Sequence, residues 1–448
     1  LNAAKPSGKK SKAQPKVQVQ GSSRRAALSV LDAVLGRQIP LDLAFERAVG
    51  QQKLSGPDRG FARAMAATVL RRLGQIDDAV DPFLRRPLPK RAITPRNILR
   101  LGAAQILFLE TPAHAAVSET TDLASGKNKT YRGLTNAVLR RIAEAGPELL
   151  EDQNAARLNT PEWLWQSWRK SYGNETALAI AEAHQLEPPL DISLLKGDPA
   201  DWPEKLEATL LPTGSLRRTI SAAVPDLAGF TDGVWQVQDA AATLPARMLG
   251  DVSGKRVIDL CAAPGGKTSQ LVSAGANVIA VDAGAERMPR VHENLKRLGL
   301  EAGTVIADAT EWRPETPVDA ILLDAPCSST GTIRRRPDVL WSKRPRDVTS
   351  LAEIQAELLR AAADMLKPGG MLVYACCSLE AEEGPDQIVT FLEDCPEFAR
   401  APLSSSEVAG LPEDAITADG DLRTLPSMWP EHGGMDGFYA ARLIKQIQ

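Results

Sequence analysis

Cysteine and histidine are scarce in this chain, at five and four of 448 residues. None of them form the closely spaced Cys/His pairs that a zinc site needs, so no metal is expected. No apolar run is long enough to cross a bilayer and no signal-peptide pattern opens the chain, which excludes a membrane partner at this stage. Unpaired cysteines fit a reducing compartment, and a cytoplasmic location is expected. Two nucleotide signatures are also missing. The dinucleotide fingerprint Gly-x-Gly-x-x-Gly does not occur at the glycine-paired junction Cys261-Ala262-Ala263-Pro264-Gly265-Gly266-Lys267-Thr268, and a phosphate-binding loop fails there because its first position is Cys261 rather than glycine.

What the chain does contain is a pair of cysteines at the tips of two apolar runs: Cys327 after Ile321-Leu322-Leu323-Asp324-Ala325-Pro326, and Cys377 after Met371-Leu372-Val373-Tyr374-Ala375-Cys376. An apolar run that stops at polar, reactive residues is how an open α/β sheet presents catalytic groups at its carboxyl edge. A free cysteine is often only a small buried hydrophobe, a reading that suits Cys261 and Cys395. The neighbours of Cys327 and Cys377 argue for chemistry instead. Val257-Ile258-Asp259-Leu260 runs into the Cys261–Thr268 junction, whose small residues and paired glycines let the backbone approach a ligand, ahead of a helix with unpaired N–H groups. The next strand ends in Asp282, suited to ribose hydroxyls, and a third ends in Asp308, suited to an adenine edge. Strand-end acids without a phosphate cradle favour S-adenosylmethionine.

These residues resemble the RNA (cytosine-5) methyltransferases of the Sun/Fmu group, which act on ribosomal RNA. Asp324-Ala325-Pro326-Cys327-Ser328-Ser329-Thr330-Gly331 is similar to that family's Asp-Ala-Pro-Cys-Ser-x-x-Gly segment, and Cys376-Cys377-Ser378 to its Thr-Cys-Ser segment, with Cys376 in place of threonine. Trp429, His432 and Gly433-Gly434 match its carboxy-terminal segment. The resemblance implies S-adenosylmethionine as cofactor, held by Cys261, Ala262, Ala263, Pro264, Gly265, Gly266, Lys267, Asp282, Arg287, Asp308 and Asp324, and small-subunit (16S) ribosomal RNA as partner, acted on by a monomer.

Carbon 5 of cytosine is too weak a nucleophile to take a methyl group unless a thiolate first adds to carbon 6. Cys377 is the expected nucleophile because it holds the family's cysteine position. Asp324 is placed to contact N3 as charge develops on the ring. After transfer a base must take the carbon-5 proton and the thiolate must leave, and the resemblance implies that Cys327 assists this release. DNA cytosine-5 enzymes take their nucleophile from a Pro-Cys dipeptide, so Pro326-Cys327 is the runner-up. Amino-directed enzymes carry Asn/Asp-Pro-Pro-Tyr/Phe at this strand end, which this chain does not.

Between Thr330 and Arg346 lie Arg334, Arg335, Arg336, Lys343, Arg344 and Arg346 against the single acid Asp338. Directly after a catalytic loop, Arg334, Arg335, Arg336, Lys343 and Arg344 are expected to bind RNA phosphates, with Trp341 available for stacking.

The net charge of −3 conceals an asymmetry: residues 1–145 carry 25 Lys/Arg against 11 Asp/Glu, or +14, which leaves −17 for the rest. Length suggests about three domains of ordinary size, and 43% hydrophobic residues supply their cores. Residues 1–23 hold five lysines and no acid, a composition that does not fold alone. Leu1 in place of methionine suggests that the translation product is longer. From Ser23 to Ala145 the apolar spacing is helical, and Asp58-Arg59, Ile98-Leu99-Arg100-Leu101-Gly102-Ala103 with Gln105, Ala116-Val117-Ser118-Glu119 and Asn136-Ala137-Val138-Leu139-Arg140 resemble the NusB family of RNA-binding bundles. Thr160 reads as an N-cap with Pro161 at N1, opening a helix whose Trp163, Trp165 and Trp168 face a core.

The expected architecture is an α/β Rossmann-like class I methyltransferase domain over 238–448, preceded by a disordered basic tail over 1–22, an all-α NusB-like helical bundle over 23–145 and a small α/β subdomain over 146–237. The competing reading is a non-catalytic RNA-binding or ribosome-assembly factor, against which the intact Asp324, Cys327 and Cys377 argue.

Overall fold

The computed structural model describes residues 22–219, 223–408 and 410–447. Residues 1–21 of the expected basic tail lie outside them. Two compact units make up the chain. One runs to Ala66 and resumes over Arg86–Glu144; the other comprises Ala67–Arg85 and Ala145–Gln448.

The first unit is helical, with helices Ser23–Arg37, Leu41–Gln52, the start of Gly56–Arg71, Ile93–Leu107, Ala113–Asp122 and Arg132–Ala145. Ser22 caps the first of these by accepting from the Arg25 N–H. Val30, Leu31, Ile98, Leu139 and Ile142 are fully buried, which is the stripe the three- and four-residue spacing predicts. The NusB-like residues brace this interior: Gln105 accepts from Arg24 at 2.7 Å and donates to Thr120 at 2.9 Å, and Glu119 pairs with Arg24 at 2.5 Å.

Residues 67–85, which helical spacing groups with the amino-terminal bundle, belong to the second unit. Their ties are polar and distant in sequence: the Leu70 carbonyl accepts from Trp341, Arg71 donates to the Arg334 carbonyl, and Arg72 donates to Gln185. Periodicity carries no trace of such bonds. Further on, the helix Glu162–Ala183 has Pro161, not Thr160, as its N-cap residue, with no side-chain cap. Trp168 is fully buried within it, and Trp163 and Trp165 pack against the same core.

Two sheets follow. The small one is antiparallel, in the order β2-β3-β1-β4, from β1 (Leu190–Leu194), β2 (Thr209–Leu210), β3 (Leu216–Arg218) and β4 (Trp235–Val237). The large one contains β5 (Arg256–Leu260), β6 (Asn277–Asp282), β7 (Gly303–Ile306), β8 (Val318–Asp324), β9 (Leu366–Cys376), β10 (Phe398–Arg400), β11 (Leu422–Thr424) and β12 (Phe438–Lys445). Its order is β10-β12-β9-β8-β5-β6-β7, with β11 beside β12. β5 to β9 run parallel, while β10, β11 and β12 are antiparallel additions. Since β6 and β8 lie on opposite sides of β5, the strand order reverses there. In an open α/β sheet the crevice beyond the carboxyl ends at such a reversal is where ligands bind. β9 opens with Leu366 opposite Val318, and after a register shift across residues 367–370 its pairing with β8 resumes at Met371 opposite Ala320.

Candidate active site

The carboxyl ends of β5, β6, β8 and β9 deliver Cys261, Asp282, Asp324 and Cys377 to one edge of the sheet. The β5 loop turns sharply, with Cys261 at φ 59° and Gly265 at φ 97°. A glycine suits the second position because it adopts a left-handed backbone without strain. Gly265 then precedes the helix Gly266–Ser273, whose first N–H groups have no intrahelical partner. Asp282 is buried and organises the loop: Oδ2 accepts from the Ala263 N–H at 3.0 Å, Oδ1 from the Gly284 N–H at 2.7 Å, and Arg287 pairs with it at 2.7 Å. Asp308 is exposed and accepts from the Thr310 N–H and hydroxyl. Two residues earlier Ile306 is 55% exposed, an apolar face left open beside the strand ends. The Cys261 thiol is pushed up to about 12 by burial.

Lys267, on the first turn of that helix, places Nζ 2.6 Å from Asp324 Oδ2 and over the Phe438 ring. Burial works against the ammonium, but Asp324 outweighs it and raises the Lys267 pKa. Asp259, which sequence reasoning passed over, is fully buried in β5. Its Oδ2 accepts from Thr268 at 2.5 Å, its Oδ1 has no hydrogen-bond partner, and burial raises its pKa to about 7. An acid at the centre of an otherwise apolar strand was the available signal.

The Cys327 and Cys377 sulfurs are 3.4 Å apart. The pair is polarised. The hydrogen bond from Cys327 lowers the Cys377 pKa against the opposing effect of burial, with Ser329 and Arg336 adding to the lowering. The same contact and burial raise Cys327 well above the usual thiol range. Either sulfur can donate across this contact, and the direction of the two shifts favours Cys377 as the one that gives up its proton. Cys376 faces away: it is fully buried, donates its thiol to the Glu383 carbonyl at 3.0 Å, and is pushed up to about 12 by burial. Successive residues of a strand point to opposite faces, so the two adjacent thiols divide between core and site. A polar seam joins the two cysteine loops, with Ser328 Oγ 3.0 Å from Ser378 Oγ and Thr330 Oγ1 3.2 Å from it.

The arginine run does not form a phosphate-facing row. Arg334 is 1% exposed and donates to the Gly433 carbonyl at 2.5 Å beside Asp239 and Asp436. Arg335 binds Asp239 at 2.6 Å and the Pro189 carbonyl at 2.9 Å. Here four acids and carbonyls, supplied from distant segments, capture charges that look free in the local sequence. Arg336 is half-buried and reaches Ser329 Oγ at 3.4 Å, on the Cys377 side. Trp341 spends its indole N–H on the Leu70 carbonyl at 2.7 Å and, partly buried, packs on the core. Lys343 is half-buried and Arg344 is exposed. Among the described residues no group of three or more His, Cys, Asp or Glu could hold a metal, and no helix is long and apolar enough to cross a membrane.

Comparison with known proteins gives a consistent result. Residues 246–444 match the family described as 16S rRNA methyltransferase RsmB/F, and residues 21–144 match the NusB family. The chain is 38% identical over 423 residues to ribosomal RNA small subunit methyltransferase B of Shigella sonnei, covering 88% of this chain and 92% of that protein. The corresponding protein of Salmonella paratyphi B is 36% identical with the same coverage. Among solved structures, the crystal structure of PH0851 superposes with a TM-score of 0.75 at 25% identity, covering 97% of this chain and all of that one. A methyltransferase homolog from Pyrococcus horikoshii gives 0.51 at 27% identity, covering 62% of this chain and 93% of that one.

Proposed function

We propose, from the premise that this chain belongs to the 16S rRNA methyltransferase RsmB/F family, that it methylates carbon 5 of a cytosine in small-subunit ribosomal RNA through a covalent adduct on Cys377. The observation that carries this reading is the thiol pair, 3.4 Å between sulfurs, at the same sheet edge as the Lys267–Asp324 pair.

S-adenosylmethionine, when bound, supplies the methyl group as an electrophile. The residues present fit it. The unpartnered Asp259 Oδ1 and the helix N-terminus suit its amino-acid end, Asp282 its ribose hydroxyls, and Asp308 with the open Ile306 its adenine. Cys261, Ala262, Ala263, Pro264, Gly265, Gly266 and Lys267 would shape the loop against it, and Arg287 would steady Asp282.

In the reaction Cys377 adds as a thiolate to carbon 6, which makes carbon 5 enamine-like and able to accept the methyl group. Asp324 addresses the N3 edge, and the ammonium of Lys267 held against it offers a proton where ring charge develops. A solvent water then takes the carbon-5 proton, the electron pair of that C–H bond re-forms the 5,6 double bond, and the Cys377 sulfur leaves carbon 6 with the pair of its own bond. The Cys327 thiol, kept protonated by its raised pKa, donates to that departing sulfur and stabilises it.

RNA carrying tritium at carbon 5 of its cytosines tests the reading directly. One tritium released per methyl incorporated is expected; methyl incorporation with the tritium retained would move the reaction to another atom, and no incorporation into unmodified 16S RNA would favour the assembly-factor reading.

Three further outcomes follow from the geometry. Cys376→Ala should keep methyl transfer within about threefold while lowering stability by about 1–2 kcal/mol, the cost of a small buried void; its unfolding curve and single-turnover rate check both. Arg335→Ala should leave Asp239 and Asp436 short of a cation and cost about 3–5 kcal/mol of stability, with the salt dependence of RNA binding unchanged. Arg344→Ala should do the opposite, reducing the slope of log affinity against log salt by about 1 at native stability.

A further inference from the structure

Cys327 lies between two residues that the same pair of buried side chains grips. Gln355 Nε2 donates to the Pro326 carbonyl at 2.8 Å. Glu383 Oε1 accepts from the Ser328 N–H at 2.8 Å, and its Oε2 accepts from the Ser328 hydroxyl. Gln355 Nε2 also reaches Glu383 Oε1 at 3.3 Å, and both side chains belong to fully buried residues. The backbone on either side of the Cys327 thiol is thereby fixed.

Glu383 holds the other cysteine loop as well. Its carbonyl accepts from the Cys376 thiol at 3.0 Å and lies 2.6 Å from the Tyr374 hydroxyl, which is 3.1 Å from Gln355 Oε1. Tyr374 and Cys376 end β9, the strand that delivers Cys377. A carboxylate held in the core by neutral donors is costly, and burial indeed raises the Glu383 pKa. An apolar side chain would fill this space at lower cost and leave the backbone contacts to β9, but it would offer no acceptor to the Ser328 N–H and hydroxyl.

We propose that Glu383, supported by Gln355, is a positioning residue that keeps the Cys327 thiol against the Cys377 sulfur and thereby sets the rate of product release. The proposal rests on the release role of Cys327 given above. Cys327 donates well only over a short range of sulfur separations, since hydrogen bonds weaken steeply with distance and angle. An error of about 1 Å in its placement removes the donor from the leaving sulfur.

Glu383→Gln keeps the size of the side chain but exchanges one of the two acceptors facing Ser328 for an NH2 donor, so the charged two-acceptor grip is broken and the Ser328 hydroxyl must turn from donor to acceptor. Multiple-turnover methylation should fall about 10- to 100-fold while first-turnover transfer falls far less, and a covalent protein–RNA species should accumulate on denaturing gels as it does with Cys327→Ala. A merely structural defect would lower first and later turnovers together and leave no adduct. Trapping by Cys327→Ala with none by folded Glu383→Gln overturns the proposal and leaves the release role standing. Trapping by neither overturns the release role and the proposal with it. If Glu383→Gln does not fold, Ser328→Ala, which deletes only the hydroxyl donor, reads the same contact: adduct accumulation supports the proposal, and an unchanged ratio of adduct to product overturns it.

Discussion

Cys377→Ala should yield no covalent protein–RNA species and lower methyl transfer by about 10⁴-fold or more, the scale seen when an enzyme's nucleophile is deleted. The expectation follows from polarity, not from proximity alone. Both thiols stand at strand ends, but only Cys377 is shifted downward, and it is shifted chiefly by the hydrogen bond from Cys327. The thiolate is the adding species, so the first-turnover rate should rise with pH and level off at a midpoint below the usual thiol range. Cys327→Ala removes the donor that lowers this pKa and should move that midpoint upward. A stopped-flow pH series on both variants, with denaturing gels for the adduct, measures all of this. An adduct that survives in Cys377→Ala and vanishes in Cys327→Ala would transfer the nucleophile to the Pro326-Cys327 dipeptide.

Gly331→Ala should be the most damaging substitution outside the thiols. Gly331 donates its N–H to the Cys377 carbonyl at 3.0 Å and accepts from the Gly437 N–H at 2.8 Å, so it joins the Cys327 loop to Cys377. A Cβ there would stand 2.0 Å from the Gly437 carbonyl oxygen and 2.6 Å from its carbon, both backbone atoms that cannot swing aside. Relief requires the two loops to separate. Overpacking of this kind costs about 1–3 kcal/mol or more, and a shift of about 1 Å at the sulfurs costs about 100-fold in rate. Gly50→Ala is the matched control, since nothing lies within 4 Å of its Cβ position in the helix Leu41–Gln52. It should be stabilising by about 0.5–1 kcal/mol and without effect on methyl transfer. Thermal unfolding and single-turnover assays of the two variants should therefore diverge in sign.

The sequence by itself determined what local order can express. Apolar runs ending in Asp282, Asp324 and Cys377 announced parallel strands and the edge at which their chemistry collects, because a strand's period and its stop are both written in neighbouring residues. Helical spacing marked the amino-terminal bundle for the same reason. The choice between Cys376 and Cys377 was half legible: alternation requires the two to face opposite sides, but which side is the core depends on what packs there.

Tertiary structure alone decided the rest. Arg334 and Arg335 read as surface charge until Asp239 and Asp436, about a hundred residues away, neutralise them in the interior. Glu383 carried no motif in the sequence reading, and its meaning lies in Ser328, 55 positions earlier. Asp259 looked like one polar residue in an apolar strand, and only burial gave it an orphaned oxygen and a pKa near 7. Hydrogen bonds and charge pairs act through a few ångströms of space whatever the separation along the chain. A linear pattern therefore fixes where groups emerge, and folding decides which of them meet.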